Sequence, residues 1–273
     1  MNSVKAGTKK LCLLLFALLL PWQISAAEVS SPKLAIVIDD LGDNLKLGQR
    51  AVDLPGPVTL AFLPHRTFTK RLAERAHGLQ REILLHQPME NSHDRWLGKG
   101  GLLVEMPTDT KRSVLLNSLA SVPHVVGINN HTGSVMTTDM ASMADVMSVL
   151  IEQDLFFIDS FTNPESVAWQ VAHYAGVPFL IRDVFLDNEV DTQDLQQQYA
   201  LALNTARSQG FAVLIGHPYP ETLDFLEENI PRLSAQGIEL VPASRLLVIP
   251  DRIPQRLKDL FCQPQGRVNC AEH

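Results

Sequence analysis

Residues 33–40 read KLAIVIDD. Lys33 to Ile38 is a short, continuous apolar run rich in β-branched residues, the pattern of a strand buried on both faces, and it ends in two adjacent carboxylates, Asp39 and Asp40. Runs of the same kind recur at Val58 to Leu63, Glu82 to Leu85, Val125 to Ile128, Leu155 to Ile158, Pro178 to Ile181 and Phe211 to Ile215, with Ile238 to Val241 as an eighth candidate. Helical patterns fill the intervals: Thr67 to Leu79, Asp109 to Val122, Glu165 to Tyr174, and Glu221 to Gln236 broken at Pro231. Asp139 caps a stretch with Met140, Met143, Met147 and Leu150 at helical spacing, read as a core-facing stripe. Asp191 opens another, with Leu195, Tyr199 and Leu203 on one face and Gly210 at its end. Seven or eight βα units predict an α/β fold whose parallel strands close into a barrel. A doubly wound open sheet is the alternative, because spacing does not report closure.

Either architecture gathers its site at the carboxyl ends of the strands. Polar residues collect there: Asp39-Asp40 after the first run, His86 to Glu90 (HQPME) after the third, and Asn129 to Ser134 (NNHTGS) after the fourth. Asp159-Ser160, Arg182-Asp183 and Gly216-His217 follow the next three. Carboxylate and imidazole groups in one pocket are ligands for zinc or a similar divalent ion, which lowers the pKa of water and polarises a carbonyl. A further acid or base then moves protons. Structural readings stand beside these: Asp39-Asp40 as a helix cap, His131 as a hydrogen-bonded turn residue, His217 as a strand end, His65 as a spare pocket residue. His77, His93, His124 and His173 read as ordinary surface or half-buried groups, and the segment around Gly98, Gly100 and Gly101 as a βα loop able to act as a lid.

The 273 residues carry a formal charge of −7 with no long basic run, which argues against a nucleic-acid partner. Residues 1–27 read as a secretory signal, with Lys5, Lys9 and Lys10 before the apolar run Leu11 to Leu20 and small residues at Ser25-Ala26-Ala27. An uncleaved anchor is the rival, although the run is shorter than the about 20 residues a span needs. Cleavage removes three lysines and no acid, leaving −10, and no other segment is long and apolar enough to span a membrane. The expected organisation is therefore an exported, periplasmic protein with a barrel domain over residues 28–249 and a tail over 250–273. Cys262 and Cys270 in that tail are expected to form one disulfide, with two free thiols as the alternative. Tryptophan is scarce (Trp22, Trp96 and Trp169), so no aromatic ladder is evident.

At the strand-end residues the sequence resembles the polysaccharide deacetylases of the NodB-like carbohydrate esterase superfamily, most closely a divergent branch of exported bacterial proteins. The resemblance spans roughly Lys33 to Leu247. Asp39-Asp40 is similar to the first motif of that superfamily, in which the first Asp is the general base and the second binds the metal. Asn130-His131-Thr132-Gly133-Ser134 is similar to the second, Asn-His-Thr-x-Ser-His, whose histidines bind the metal. Leu214 to His217 resembles the late motif that carries a histidine general acid. The divergent branch adds His86 to Glu90 and Arg182-Asp183. The resemblance implies a distorted (β/α) barrel of about seven parallel strands. It implies a metal-dependent hydrolase, with Zn2+ as the expected ion, acting on N-acetylated or O-acetylated polysaccharide of the cell envelope, with peptidoglycan a candidate. Val135 replaces the second motif's final histidine and cannot bind a metal, so His86 is the expected substitute, giving Asp40, His86 and His131 as ligands. Asp39 is the expected base and His217 the acid, with Arg182 orienting Asp39, and Asp159 or Asp183 holding His217. The alternatives are a catalytically silent binder of envelope glycan or protein, and a metal-dependent esterase or phosphoesterase.

Overall fold

The run that opens the fold forms a nine-residue strand, β1 (Lys33–Leu41), whose interior residues are buried on both sides. The structure, a computed structural model, describes residue 1, residues 31–93 and residues 96–249. Apart from Met1, the expected signal segment 1–27, and the tail 250–273 with Cys262 and Cys270, lie outside the described residues.

The remaining strands among the described residues are β2 (Thr59–Phe62), β3 (Glu82–Met89), β4 (Gly127–Thr132), β5 (Phe156–Asp159), β6 (Phe179–Ile181), β7 (Val184–Phe185), β8 (Phe211–Gly216) and β9 (Glu239–Leu240). Their ladders are all parallel, in the order β6-β5-β4-β3-β2-β1-β8-β7, with β9 paired to the start of β1. Read around a circle, that order is simply sequential, as in a barrel; a doubly wound sheet would reverse direction at a switch point. The two edge strands, β6 and β7, are separated in sequence only by Arg182 and Asp183, so they stand at most about 11 Å apart. The Arg182 amide bonds to Asp159 O on one edge at 2.9 Å, and the Asp183 amide bonds to Val213 O on the other at 2.9 Å. The chain thus crosses the seam of a distorted barrel at these two residues. An antiparallel bridge from Val248 to Phe179 covers part of the β6 edge.

Helices wrap the outside: α1 (Leu45–Asp53), α2 (Thr69–Gly78), α3 (Thr108–Ser121), α4 (Met140–Gln153), α5 (Ala168–Ala175), α6 (Thr192–Gln209) and α7 (Pro220–Asn229). The first was not marked by periodicity; Asn44, rather than Asp39 or Asp40, caps it, accepting from the Leu47 amide. Asp139 and Asp191 cap α4 and α6 as expected, and Gly210 ends α6 in a left-handed conformation. Met143 and Met147 face the core, but Met140, in the first turn of α4, is exposed. Pro231 ends the regular helix at Asn229 and opens a 3₁₀ turn, having no amide to continue it.

Strand alternation makes two cores. Leu34, Ile36 and Ile38 face the helices, whereas Ala35 and Val37 join Ala61, Leu84, Ile158 and Ile215 inside the barrel. Gly127 belongs to the inward series of β4, where an added Cβ would lie 2.7 Å from the Phe156 ring. That ring is itself packed in the inner cluster. Gly127→Ala is therefore expected to cost about 1–3 kcal/mol by overpacking. A thermal melt reads this as about 2–4 °C of Tm per kcal/mol; an unchanged melt would contradict the placement.

Candidate functional site

The inward series of each strand runs on, past its apolar residues, into the polar ones. Ala35 and Val37 lead to Asp39, Leu84 to His86, Gly127 to Asn129 and His131, Ile158 to Ser160, and Val213 and Ile215 to His217. Sequence reading placed these groups just beyond the strands. The ladder in fact continues through them, pairing His86 with Asn129 and Pro88 with His131, because buried polar side chains do not interrupt backbone pairing. Asp40 alone has the wrong parity. Its φ of 55° and the register break between Ile38 and Leu41 swing the strand around, so two consecutive carboxylates serve one pocket. Aspartate tolerates that left-handed conformation better than most residues.

Asp40, His86 and His131 bring one donor atom each into a compact triangle. Asp40 Oδ1 lies 2.9 Å from His131 Nδ1 and 3.2 Å from His86 Nε2, and the two nitrogens are 3.1 Å apart. Ligands of a tetrahedral zinc ion stand about 3.3 Å apart, given bond lengths of about 2.0–2.1 Å. Asp40 Oδ1 is buried yet makes no hydrogen bond among the described residues. A buried carboxylate oxygen left so, facing two imidazole nitrogens, fits a cation held between them. Val135 contributes no donor, and the third atom comes from β3 through His86.

Asn129 is the side chain that sequence reading passed over. Its Oδ1 accepts from His86 Nδ1 at 2.9 Å, which fixes the tautomer that leaves Nε2 free to bind a metal. Its Nδ2 donates to Asp39 Oδ1 at 2.8 Å, so one amide orients both the candidate ligand and the candidate base. Arg182 does not bond to Asp39. Its Nε and Nη2 donate to Ser160 O and Phe161 O, and its guanidinium lies 3.7 Å from the Phe185 ring centroid. Burial pulls the Arg182 guanidinium down to about 10 despite the nearby aspartates.

The partner of His217 is neither Asp159 nor Asp183 but Asp187. Asp187 Oδ1 is 2.8 Å from His217 Nδ1, and its Oδ2 accepts from the His217 amide at 2.6 Å and from Thr222 Oγ1 at 2.9 Å. Parity keeps Asp159 away: it shares the outward face with Phe157, and its carboxylate holds Ser166 Oγ and the Phe161 amide. Register keeps Asp183 away: it sits level with Val213, whose amide it accepts, four residues and about 13 Å before His217. Phe185 pairs with Ile215, so Asp187 arrives level with His217. The signal was there in the spacing, but a two-residue edge strand has no period to read.

Burial lifts the Asp39 carboxyl above its ordinary value, against the pull of His86 and His217 and the Asn129 hydrogen bond. Burial also opposes the charged form of Asp40, but the flanking His131 and His86 outweigh it and hold the carboxylate ionised far below the usual range. Burial disfavours an imidazolium at His86, yet Asp39 and Asp40 draw it upward, so without a metal a proton supplies the positive charge that the two carboxylates demand. At His217 burial is likewise overcome, by the Asp187 hydrogen bond and by the charges of Asp187, Asp39 and Asp40, and the ring is pushed up to about 9.

The sequence profile of the divergent polysaccharide deacetylases matches residues 36–247. The chain belongs to that family. The uncharacterized protein YibQ of Escherichia coli K12 is 36% identical, over 82% of this chain and 70% of its own length. An uncharacterized protein of Haemophilus influenzae Rd is 35% identical, over 78% of this chain and 76% of its own. The crystal structure of an uncharacterized protein from Agrobacterium tumefaciens C58 superposes with a TM-score of 0.77 at 26% identity, over 79% of this chain and 89% of that one. In this divergent polysaccharide deacetylase family member, no helix among the described residues is long and apolar enough to cross a membrane.

Proposed function

We propose that the chain is a metal-dependent hydrolase that removes acetyl groups from an N-acetylated polysaccharide of the bacterial envelope, after export directed by residues 1–27. The triangle of Asp40, His86 and His131 beside a buried, Asn129-oriented Asp39 carries this reading. A carboxylate with two imidazoles suits zinc, and a divalent cation held there lowers the pKa of water and polarises the acetyl oxygen.

The chain's own groups supply the proton transfers. Asp39, buried and with its carboxyl raised above its ordinary value, takes a proton from the attacking water. With its Nδ1 donating to Asn129, the neutral form of His86 would present Nε2 to a bound cation. His217 starts protonated, held so by Asp187, and gives its proton to the departing amine nitrogen as acetate leaves. Phe185 and Tyr219 flank its ring, at 6.2 and 5.7 Å between centroids, and limit the directions in which it can move. Release of acetate from N-acetylglucosamine oligomers, dependent on added zinc and abolished by chelation, is the expected result. Phosphate release from phosphoesters without acetate release would overturn the assignment.

Activity is expected to fall as pH rises through the His217 pKa, because a raised pKa keeps the acid form populated below it and loses it above. The alkaline limb should lie at or below about 9, since a bound cation adds positive charge. Asp187→Asn removes the anion that sustains the imidazolium and should move this limb to lower pH in a kcat profile. An unmoved limb would dismiss the pair. The rival, a silent glycan-binding member of the family, draws on Val135, and a folded chain without metal would favour it.

A further inference from the structure

Just past the strand that delivers His86, Glu90 stands at the edge of a second cleft of about 360 Å3, away from the triangle. Glu90, Asn91, Trp96, Leu97 and Leu103 line it. Trp96 is 80% exposed, whereas Trp169, the other tryptophan among the described residues, is buried at 5%. An indole so exposed gains nothing for the fold, and its environment is built. Arg66 lies over the ring at 5.6 Å from its centroid and pairs with Asp43 at 3.7 Å. Gly98 makes room for that guanidinium, since a Cβ there would stand 2.7 Å from Arg66 Nη2. The indole is thereby held on one side and open to a ligand.

The chemistry of the cleft is that of a sugar site. A pyranose has apolar C–H faces that stack on an indole and hydroxyls that need acceptors at its rim. The Glu90 carboxylate accepts only the Val104 amide among the described residues, at 2.7 Å, and keeps further acceptor positions. The cleft is also tied to the candidate metal site. Glu90 lies four residues, about 13 Å of extended chain, beyond His86. Its carbonyl accepts the amides of Val135 and Met136, just past His131. One acetyl-bearing sugar cannot reach both places, but linked sugars can.

Resting on the hydrolase reading, we infer that this cleft is a second subsite, holding a neutral N-acetylated sugar a few units along the same glycan from the one whose acetyl group is cleaved. The test titrates the full chain by calorimetry with N-acetylglucosamine and with its β-1,4-linked tetramer, for wild type, Trp96→Ala and Trp96→Phe. The expected result is that the tetramer binds more tightly than the monosaccharide, that Trp96→Ala weakens the tetramer about tenfold and leaves the monosaccharide unchanged, and that Trp96→Phe restores most of the loss. Equal thermal melts establish that the exposed substitutions leave the fold intact. A tetramer that binds no better than the monosaccharide, or equally to wild type and Trp96→Ala, overturns the subsite. Acetate release is scored separately. Trp96-dependent binding without acetate release keeps the subsite and sinks the hydrolase, whereas acetate release from the tetramer insensitive to Trp96→Ala keeps the hydrolase and sinks the subsite.

Discussion

Asp39→Asn is expected to lower the rate of acetate release by about 10²–10⁴-fold, the usual contribution of a positioned general base, while leaving the metal content unchanged. The substitution keeps the size of a residue that is 2% exposed, and it keeps an acceptor for Asn129 Nδ2. It removes the only property the mechanism asks of the side chain, its ability to take a proton. The Asp39 Oδ2 atom lies 3.6 Å from His86 Nε2, beyond the 2.9–3.2 Å sides of the triangle, so the loss should not open the metal site. A kcat within threefold of wild type would remove Asp39 from the chemistry, and loss of metal would make it a ligand instead.

His86→Ala should have the second large effect: loss of bound metal, and of acetate release down to background. In the motif that residues 130–134 resemble, a second histidine lies four residues after the first; here Val135 fills that position and His86 reaches in from β3. Removing His86 leaves only Asp40 and His131, two donors where a catalytic zinc usually takes three. It also leaves the buried Asp39 without the imidazole beside it, which destabilises the apo chain as well. Elemental analysis alongside circular dichroism separates these effects. Stoichiometric zinc in a folded His86→Ala protein would show that another residue completes the site.

Much of this arrangement can be read in the chain because strands and helices leave different periods. The apolar runs at Lys33 and Phe211 locate β1 and β8, and the residues that follow them, Asp39 and His217, stay in register with the barrel interior. The approach of the two sheet edges was not legible, since β6 and β7 form no ladder and are joined only through Arg182-Asp183, and the β7 edge is two residues long. For the same reason Asp187 was missed, and the role of holding His217 fell to Asp159 and Asp183, which parity and register direct elsewhere. Asn129 was hidden differently. An amide between two chemically louder residues carries no charge to notice, and its value comes from pointing one end at His86 and the other at Asp39. The α1 helix escaped because it is only nine residues long and its few apolar positions are interleaved with Lys46, Gln49 and Arg50. The ion pairs of Arg50 with Asp224 and Glu227, which tie that helix to α7, appear only in three dimensions.

If side chains from β1, β3 and β4 share one cation, an anomalous-difference map at the zinc edge, from crystals grown with zinc, will reveal it. A single strong peak is expected about 2.0–2.2 Å from Asp40 Oδ1, His86 Nε2 and His131 Nδ1. No peak at that position, or one bound by other residues while these three keep their places, would contradict it.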